Sequence, residues 1–143
     1  MRLTRHVPPL LLITACVAAC GGSSPAAGQR PPATGSTVTV DIPGADRFTP
    51  PVVEVVKGSR VTFTNHDGDP HTATSVPGDP TSFALTLPPG ASASVVVDRT
   101  GVYRYFCALH ARYDPSTGQI AALPIADHPA EPMAGTFVVT PGP

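Results

Sequence analysis

Cys107 and His110, separated only by Ala108 and Leu109, are the side chains of this sequence whose types and spacing best suit chemistry. A thiolate and an imidazole so close together can reach one ion from a single turn, and that soft and borderline pair favours a transition metal. Cys107 also stands alone, because the other two of the 3 cysteines, Cys16 and Cys20, fall in an apolar stretch at the N-terminus. In an exported chain, a thiol without an intramolecular partner is oxidised, paired between chains or bound to something. The alternative is a small buried apolar residue. Cys-x2-His is weak evidence by itself, so further ligands must come from elsewhere. Two places can supply them: His71, after the loop Asn65-His66-Asp67-Gly68-Asp69-Pro70, and Met133, just ahead of the last apolar alternation.

The elements that must position these residues are strands. The sequence has 143 residues with 19 Pro and 13 Gly, a composition that no helical bundle tolerates. Strand-length alternation recurs as TVTVDI from Thr37, VVEVV from Val52, RVTFTN from Arg60, SFALTL from Ser82, SASVVV from Ser92, VYRYFC from Val102 and TFVVT from Thr136. Turn signals separate them, among them Lys57-Gly58-Ser59, Pro77-Gly78-Asp79-Pro80, Pro88-Pro89-Gly90 and Arg99-Thr100-Gly101. The expectation is an all-β fold, an antiparallel Greek-key β-sandwich of about 7–8 strands. Parity puts Tyr103, Tyr105 and Cys107 on the inward face of their strand and Arg104 on the wet one.

Ahead of the strands, Arg2 and Arg5 precede an almost wholly apolar run at residues 7–19, the order of an export signal. The run is short for a bilayer span. Two cysteines follow small residues in the manner of a lipoprotein box. Cys20 leaves the fuller apolar segment and a Gly-Gly-Ser-Ser tether behind it, whereas Cys16 is the alternative. The organisation expected is a lipoprotein signal at residues 1–19, a flexible tether at 20–36 and a folded domain at 37–143. Such a protein is exported and held by lipid on the extracytoplasmic side of the cell membrane. The formal charge of −1, with 13% charged residues and no Lys/Arg run, argues against a nucleic-acid partner.

One thiolate, two imidazoles and one thioether form the His2Cys set with a weak axial Met that suits blue-copper electron transfer. Four pieces of the chain carry a family likeness. Phe48-Thr49-Pro50-Pro51-Val52-Val53-Glu54-Val55, with Gly58 and Val61-Thr62-Phe63-Thr64-Asn65, forms the first. The Asn65 to His71 spacing, with Pro70 before His71, forms the second. Gly101-Val102-Tyr103-Arg104-Tyr105-Phe106-Cys107-Ala108-Leu109-His110 and Met133-Ala134-Gly135-Thr136-Phe137 complete the set. Over most of residues 37–141 the sequence resembles the plastocyanin/amicyanin group of cupredoxins. The resemblance implies one copper, cycling between Cu(I) and Cu(II), held by His71, Cys107, His110 and Met133. It also implies that His110 is the electron port, lying near the surface in an apolar patch to which Ala108 and Leu109 belong.

The resemblance breaks at residues 111–132, which separate His110 from Met133 where the family has a few residues. The insert holds a polar turn, Asp114-Pro115-Ser116-Thr117-Gly118, an apolar run at residues 120–126, and His128. Met133 can still reach the metal if the ends of the insert stay close, since closure cost rises only logarithmically with length. His128 is the competing fourth ligand. Asn65 is expected to brace the ligand loop through hydrogen bonds to backbone, and His66 to lie in solvent. No catalytic dyad or phosphate loop is visible, so the expectation is a monomeric, non-enzymatic electron carrier serving redox proteins of the cell envelope. Copper storage or delivery with the same ligands is the alternative. A zinc-holding or metal-free adhesion sandwich is a third reading, one that leaves Cys107 without a reason to be unpaired.

Overall fold

The computed structural model describes residues 35–142. The expected signal segment, the lipidation position and most of the tether lie outside those residues. Alternating side chains form ten strands: β1 (Thr37–Ile42), β2 (Val52–Val56), β3 (Ser59–Asn65), β4 (His71–Ser75), β5 (Ala84–Leu87), β6 (Ser92–Val97), β7 (Gly101–Phe106), β8 (Ala111–Asp114), β9 (Gln119–Ala122) and β10 (Ala134–Thr140). Eight of them form two sheets, ordered β1-β3-β6 and β2-β10-β7-β4-β5, and β8 pairs with β9 as a separate hairpin. Among the described residues no helix is long and apolar enough to cross a membrane.

The β-sandwich expected from the sequence is present, with one correction to its pairing. β1 runs parallel to β3 and β2 parallel to β10, so the sheets are mixed and not purely antiparallel. The chain leaves β1 in one sheet and enters β2 in the other, which places like-directed strands side by side. The sequence alternation also underlies the packing. Val40, Ile42, Val61, Phe63, Tyr103, Tyr105 and Phe137 each lose essentially all solvent exposure between the sheets, and a side chain of this size contributes about 1.5–3 kcal/mol on burial. Phe63 meets Tyr105 edge to face at 5.2 Å, and Tyr105 stacks on Phe137 at 4.6 Å. The Tyr103 hydroxyl donates to the Arg99 carbonyl, pinning the turn into β7.

The opposite face of β7 is only partly wet. The β8-β9 hairpin folds back over it, and Val76, Phe106 and Ala111 form a small second core with Tyr113, Ile120 and Ala134. Arg104, expected in solvent, ties the two together. It donates to the Gly118 carbonyl and to Asp79, and its guanidinium lies over the Tyr113 ring. Residues 111–122 of the insert therefore form an ordered hairpin. Its base is closed by the Leu123 N–H donating to the His110 carbonyl.

Candidate metal centre

Three adjacent strands bring the sequence-predicted ligands to one end of the sandwich. β7 lies between β10 and β4, with Phe106 opposite both Ala134 and Thr74. His71 opens β4, Cys107 follows β7 and Met133 precedes β10. The Cys107 N–H donates to the Met133 carbonyl at 2.9 Å, and the His110 and Ala111 N–H groups turn back onto the Cys107 carbonyl. This turn carries His110 to the same place as Cys107, as the short spacing predicts.

His71 and Cys107 have no solvent exposure and Met133 keeps 2%. Nδ1 of His110 lies 3.4 Å from Cys107 Sγ, and Nδ1 of His71 lies 3.8 Å from it. The ligand atoms of these three residues all fall within 4.8 Å of one another, close enough to hold one ion. Met133 places its side chain in the same buried cluster as Cys107 and Phe48. His71, Cys107 and His110 thus converge, and Met133 is brought beside Cys107 through its backbone and shares the buried core, although 22 residues separate it from His110.

Burial opposes ionisation of the Cys107 thiol, yet hydrogen bonds from His71, from the Thr72 and Leu109 N–H groups and from His110 outweigh it and lower the pKa to about 6. Burial likewise works against a charged His71, but its contacts with Cys107 and Asp67 win and raise its pKa. The metal-free site thereby favours a thiolate facing an imidazolium. The Cys107 thiolate contributes stability that is fully present above the ordinary thiol pKa of about 8.5 and is lost as pH falls through about 6. The His71 contribution has the opposite sign, present below about 6.5 and lost as pH rises through its raised pKa. Ultraviolet thiolate absorbance of metal-free protein is expected to titrate near pH 6; a midpoint above pH 8, in the ordinary thiol range, contradicts this electrostatic account.

The ligand loop has its own scaffold. Asn65 is fully buried, donates from Nδ2 to the carbonyls of Asp69 and Leu87, and accepts the Asp67 N–H at Oδ1. Asp67 in turn faces His71 Nε2 with Oδ2 at 3.1 Å, which leaves His71 Nδ1 directed at the sulfur. The bracing role expected of Asn65 is present in these bonds. Asn65→Ala leaves buried backbone groups without partners and is expected to cost about 2–3 kcal/mol in denaturant unfolding. A loss below about 0.5 kcal/mol contradicts the bracing role.

Several contributors were not evident in the sequence. Thr72 supplies an N–H to Cys107 Sγ at 3.3 Å, and its hydroxyl accepts the Ala108 N–H at 2.8 Å. Asp67 orients His71. Asp46, from the β1-β2 loop, lies 3.5 Å from His110 Nε2 and contacts His128 Nδ1. A polar residue next to a ligand is a weak signal for Thr72 and Asp67, and nothing in the sequence points to Asp46. His110 keeps only 10% side-chain exposure and is stacked against His128 at 4.9 Å. The insert therefore covers the edge expected to be open, while Leu109 beside it remains 45% exposed. His128 groups with Asp46 and His110, apart from the group formed by His71, Cys107 and His110. His66 is exposed, as expected, and contacts Asp41.

Comparison with known proteins agrees with this architecture. A purple cupredoxin from Nitrosopumilus maritimus aligns over 72% of this chain and 99% of its own, with 24% identity and a TM-score of 0.50. An amicyanin variant in the reduced state aligns over 73% and 82%, with 24% identity and a TM-score of 0.53. A copper-containing nitrite reductase from Thermus scotoductus aligns over 75% of this chain but 23% of its own, with 23% identity and a TM-score of 0.54. At these identities the likeness is one of fold. No match was found among the curated proteins. The cupredoxin-like domain family matches residues 10–122, a span that contains His71, Cys107 and His110 and ends before Met133. With most of its length inside that match and its strands in the same sandwich, the chain belongs to the cupredoxin-like family.

Proposed function

We propose that this protein is a type 1 copper-binding one-electron carrier, with a single copper held by His71, Cys107, His110 and Met133. The observation that carries the reading is the approach of two imidazole Nδ1 atoms to one buried cysteine sulfur. The donor set fits the ion: a thiolate and a thioether suit Cu(I), and imidazoles suit both oxidation states. Copper bound there supplies reversible one-electron chemistry between Cu(I) and Cu(II).

The chain's own residues perform the remaining tasks. Cys107 is held as a thiolate by the Thr72 N–H and by the imidazoles. Asp67 fixes the orientation of His71. The pairing of β10, β7 and β4 ties three ligand-bearing segments into one sheet, so the donors are restrained together and rearrangement on a change of charge is small. Burial of Cys107, His71 and Met133 keeps bulk water off the centre.

The charged-then-apolar N-terminus and the Cys20 box support an exported lipoprotein at the outer face of the cytoplasmic membrane, where it exchanges electrons with redox proteins of the cell envelope as a carrier and not an enzyme. Residues 120–126 of the insert and exposed Leu109 are the docking surface in this reading. Voltammetry of the copper-loaded full chain, repeated after incubation with a competing Cu(I) chelator, tests the carrier role. A reversible one-electron wave with copper retained is expected. Copper lost to the chelator without a reversible wave assigns the protein to storage or delivery instead.

A further inference from the structure

The insert closes one approach to the metal site and leaves another open. His128 stacks against His110 at 4.9 Å, and His110 keeps only 10% side-chain exposure, so this imidazole presents little surface to a partner. Beside β8 lies an open groove of about 480 Å³ whose lining includes Phe106, Ala108, Ala111 and Tyr113. β8 contributes to it from the insert, and the end of β4 with Pro77 contributes from the sandwich. Phe106 and Ala108 are the chain neighbours of Cys107 on either side. The Ala108 N–H also donates to the Thr72 hydroxyl, and the Thr72 N–H donates to the Cys107 sulfur. The groove therefore meets the buried sulfur through one covalent neighbour on each side and through Thr72.

The chemistry of the groove selects an occupant. Its lining is mainly apolar, and Arg112 is the one charged residue in it. Arg112 is exposed and has no ion-pair partner among the described residues. The carboxylates along this face are already engaged: Asp79 pairs with Arg104, and Asp114 accepts the N–H and the hydroxyl of Ser116. An apolar recess beside an uncompensated guanidinium fits an aromatic ring flanked by a carboxylate. Rings fill such recesses as anchors of interfaces, and a guanidinium holds a carboxylate through strong, directional hydrogen bonds.

We propose that this groove is the anchor of the partner-docking surface, taking an aromatic side chain of an acidic redox protein while a neighbouring carboxylate of that protein pairs with Arg112. The inference rests on the carrier reading and adds to it the chemistry of the partner. The groove continues the exposed Leu109 surface, because Leu109 directly follows Ala108. Docking there reaches Cys107 through its chain neighbours and leaves His128 stacked on His110.

The probe is a capped Asp-Trp-Asp tripeptide titrated into the metal-free, 15N-labelled full chain, with capped Lys-Trp-Lys as its charge-reversed counterpart. Amide shifts centred on Ala108, Ala111 and Tyr113 are expected with the acidic peptide. Binding is expected to be about 10-fold weaker for the basic peptide, and about 10-fold weaker for the acidic peptide on Arg112→Glu, the loss of one charge-assisted pair. Arg112 is exposed, so that substitution leaves the core intact. No saturable binding, equal binding of the two peptides, or shifts confined to residues 120–126 overturns the proposal. Failure of the carrier reading has a different signature: a chain that binds the acidic peptide in the groove but gives no reversible copper wave refutes the redox identity of the partner and not the groove.

Discussion

Cys107→Ser is expected to abolish the visible thiolate-to-copper charge-transfer band and to lower copper affinity by more than the roughly 100-fold cost of losing an outer supporting group. Serine preserves the size of the side chain but replaces a soft donor, already favoured as thiolate by His71 and the Thr72 N–H, with a hydroxyl that does not ionise near neutral pH. His71, His110 and Met133 remain, so residual binding is expected to be that of a colourless imidazole site. The fold is expected to survive, because the Cys107 N–H keeps its bond to the Met133 carbonyl and that bond does not depend on the side chain. Absorption and chelator competition on the folded variant check both points. A Cys107→Ser protein that keeps the band contradicts the assignment of Cys107 as the principal ligand.

The largest stability effect is expected at Gly135. It sits opposite Tyr105 across the β10-β7 pair, and the Tyr105 ring lies over it. A Cβ at Gly135 falls 2.3 Å from both Cζ and Oη of Tyr105. The ring has nowhere to retreat, being held by Phe48 at 4.9 Å, Phe63 at 5.2 Å and Phe137 at 4.6 Å. Gly135→Ala is therefore expected to cost about 3 kcal/mol, on the order of 15 °C in Tm. The Tyr105 hydroxyl is buried without a hydrogen-bond partner among the described residues, and burial alone pushes its pKa upward. Tyr105→Phe is expected to gain about 1 kcal/mol by removing that unpaired group. It is also expected to recover part, not all, of the Gly135→Ala loss, because the ring carbon still clashes. Denaturant unfolding of the two single variants and the double variant measures both effects. Gly135→Ala within about 0.5 kcal/mol of the parent protein contradicts the packing account.

What was legible in the sequence follows physical lines. Strands whose inward positions are large and apolar announced themselves, as Val61 and Phe63 do in β3 and Tyr103 and Tyr105 do in β7. β4 did not, because its inward positions are His71, Ala73 and Ser75, a pattern with almost no hydrophobic contrast. Its place beside β7 is nevertheless what delivers His71 to Cys107. Parallel pairing of β1 with β3 and of β2 with β10 was invisible for a different reason: alternation says which face a residue takes and nothing about which strand lies alongside. His71, Cys107, His110 and Met133 were legible because thiolate, imidazole and thioether are rare donors in a fixed order. Asp46 was hidden, since Pro43-Gly44-Ala45-Asp46 reads as an ordinary polar turn and its contacts with His110 and His128 are made across the fold. The insert looked like a long loop. Its pairing of Ala111 with Ala122 and of Asp114 with Gln119 makes residues 111–122 a hairpin instead, and the Cys107 N–H bond to the Met133 carbonyl holds the far end of the insert at the site.

A visible absorption titration of the metal-free full chain with Cu(II) asks whether Cys107 binds copper as a thiolate. An intense blue thiolate–copper band that grows linearly and saturates at one equivalent of copper is expected. A folded protein that binds copper without such a band would contradict binding through the Cys107 thiolate.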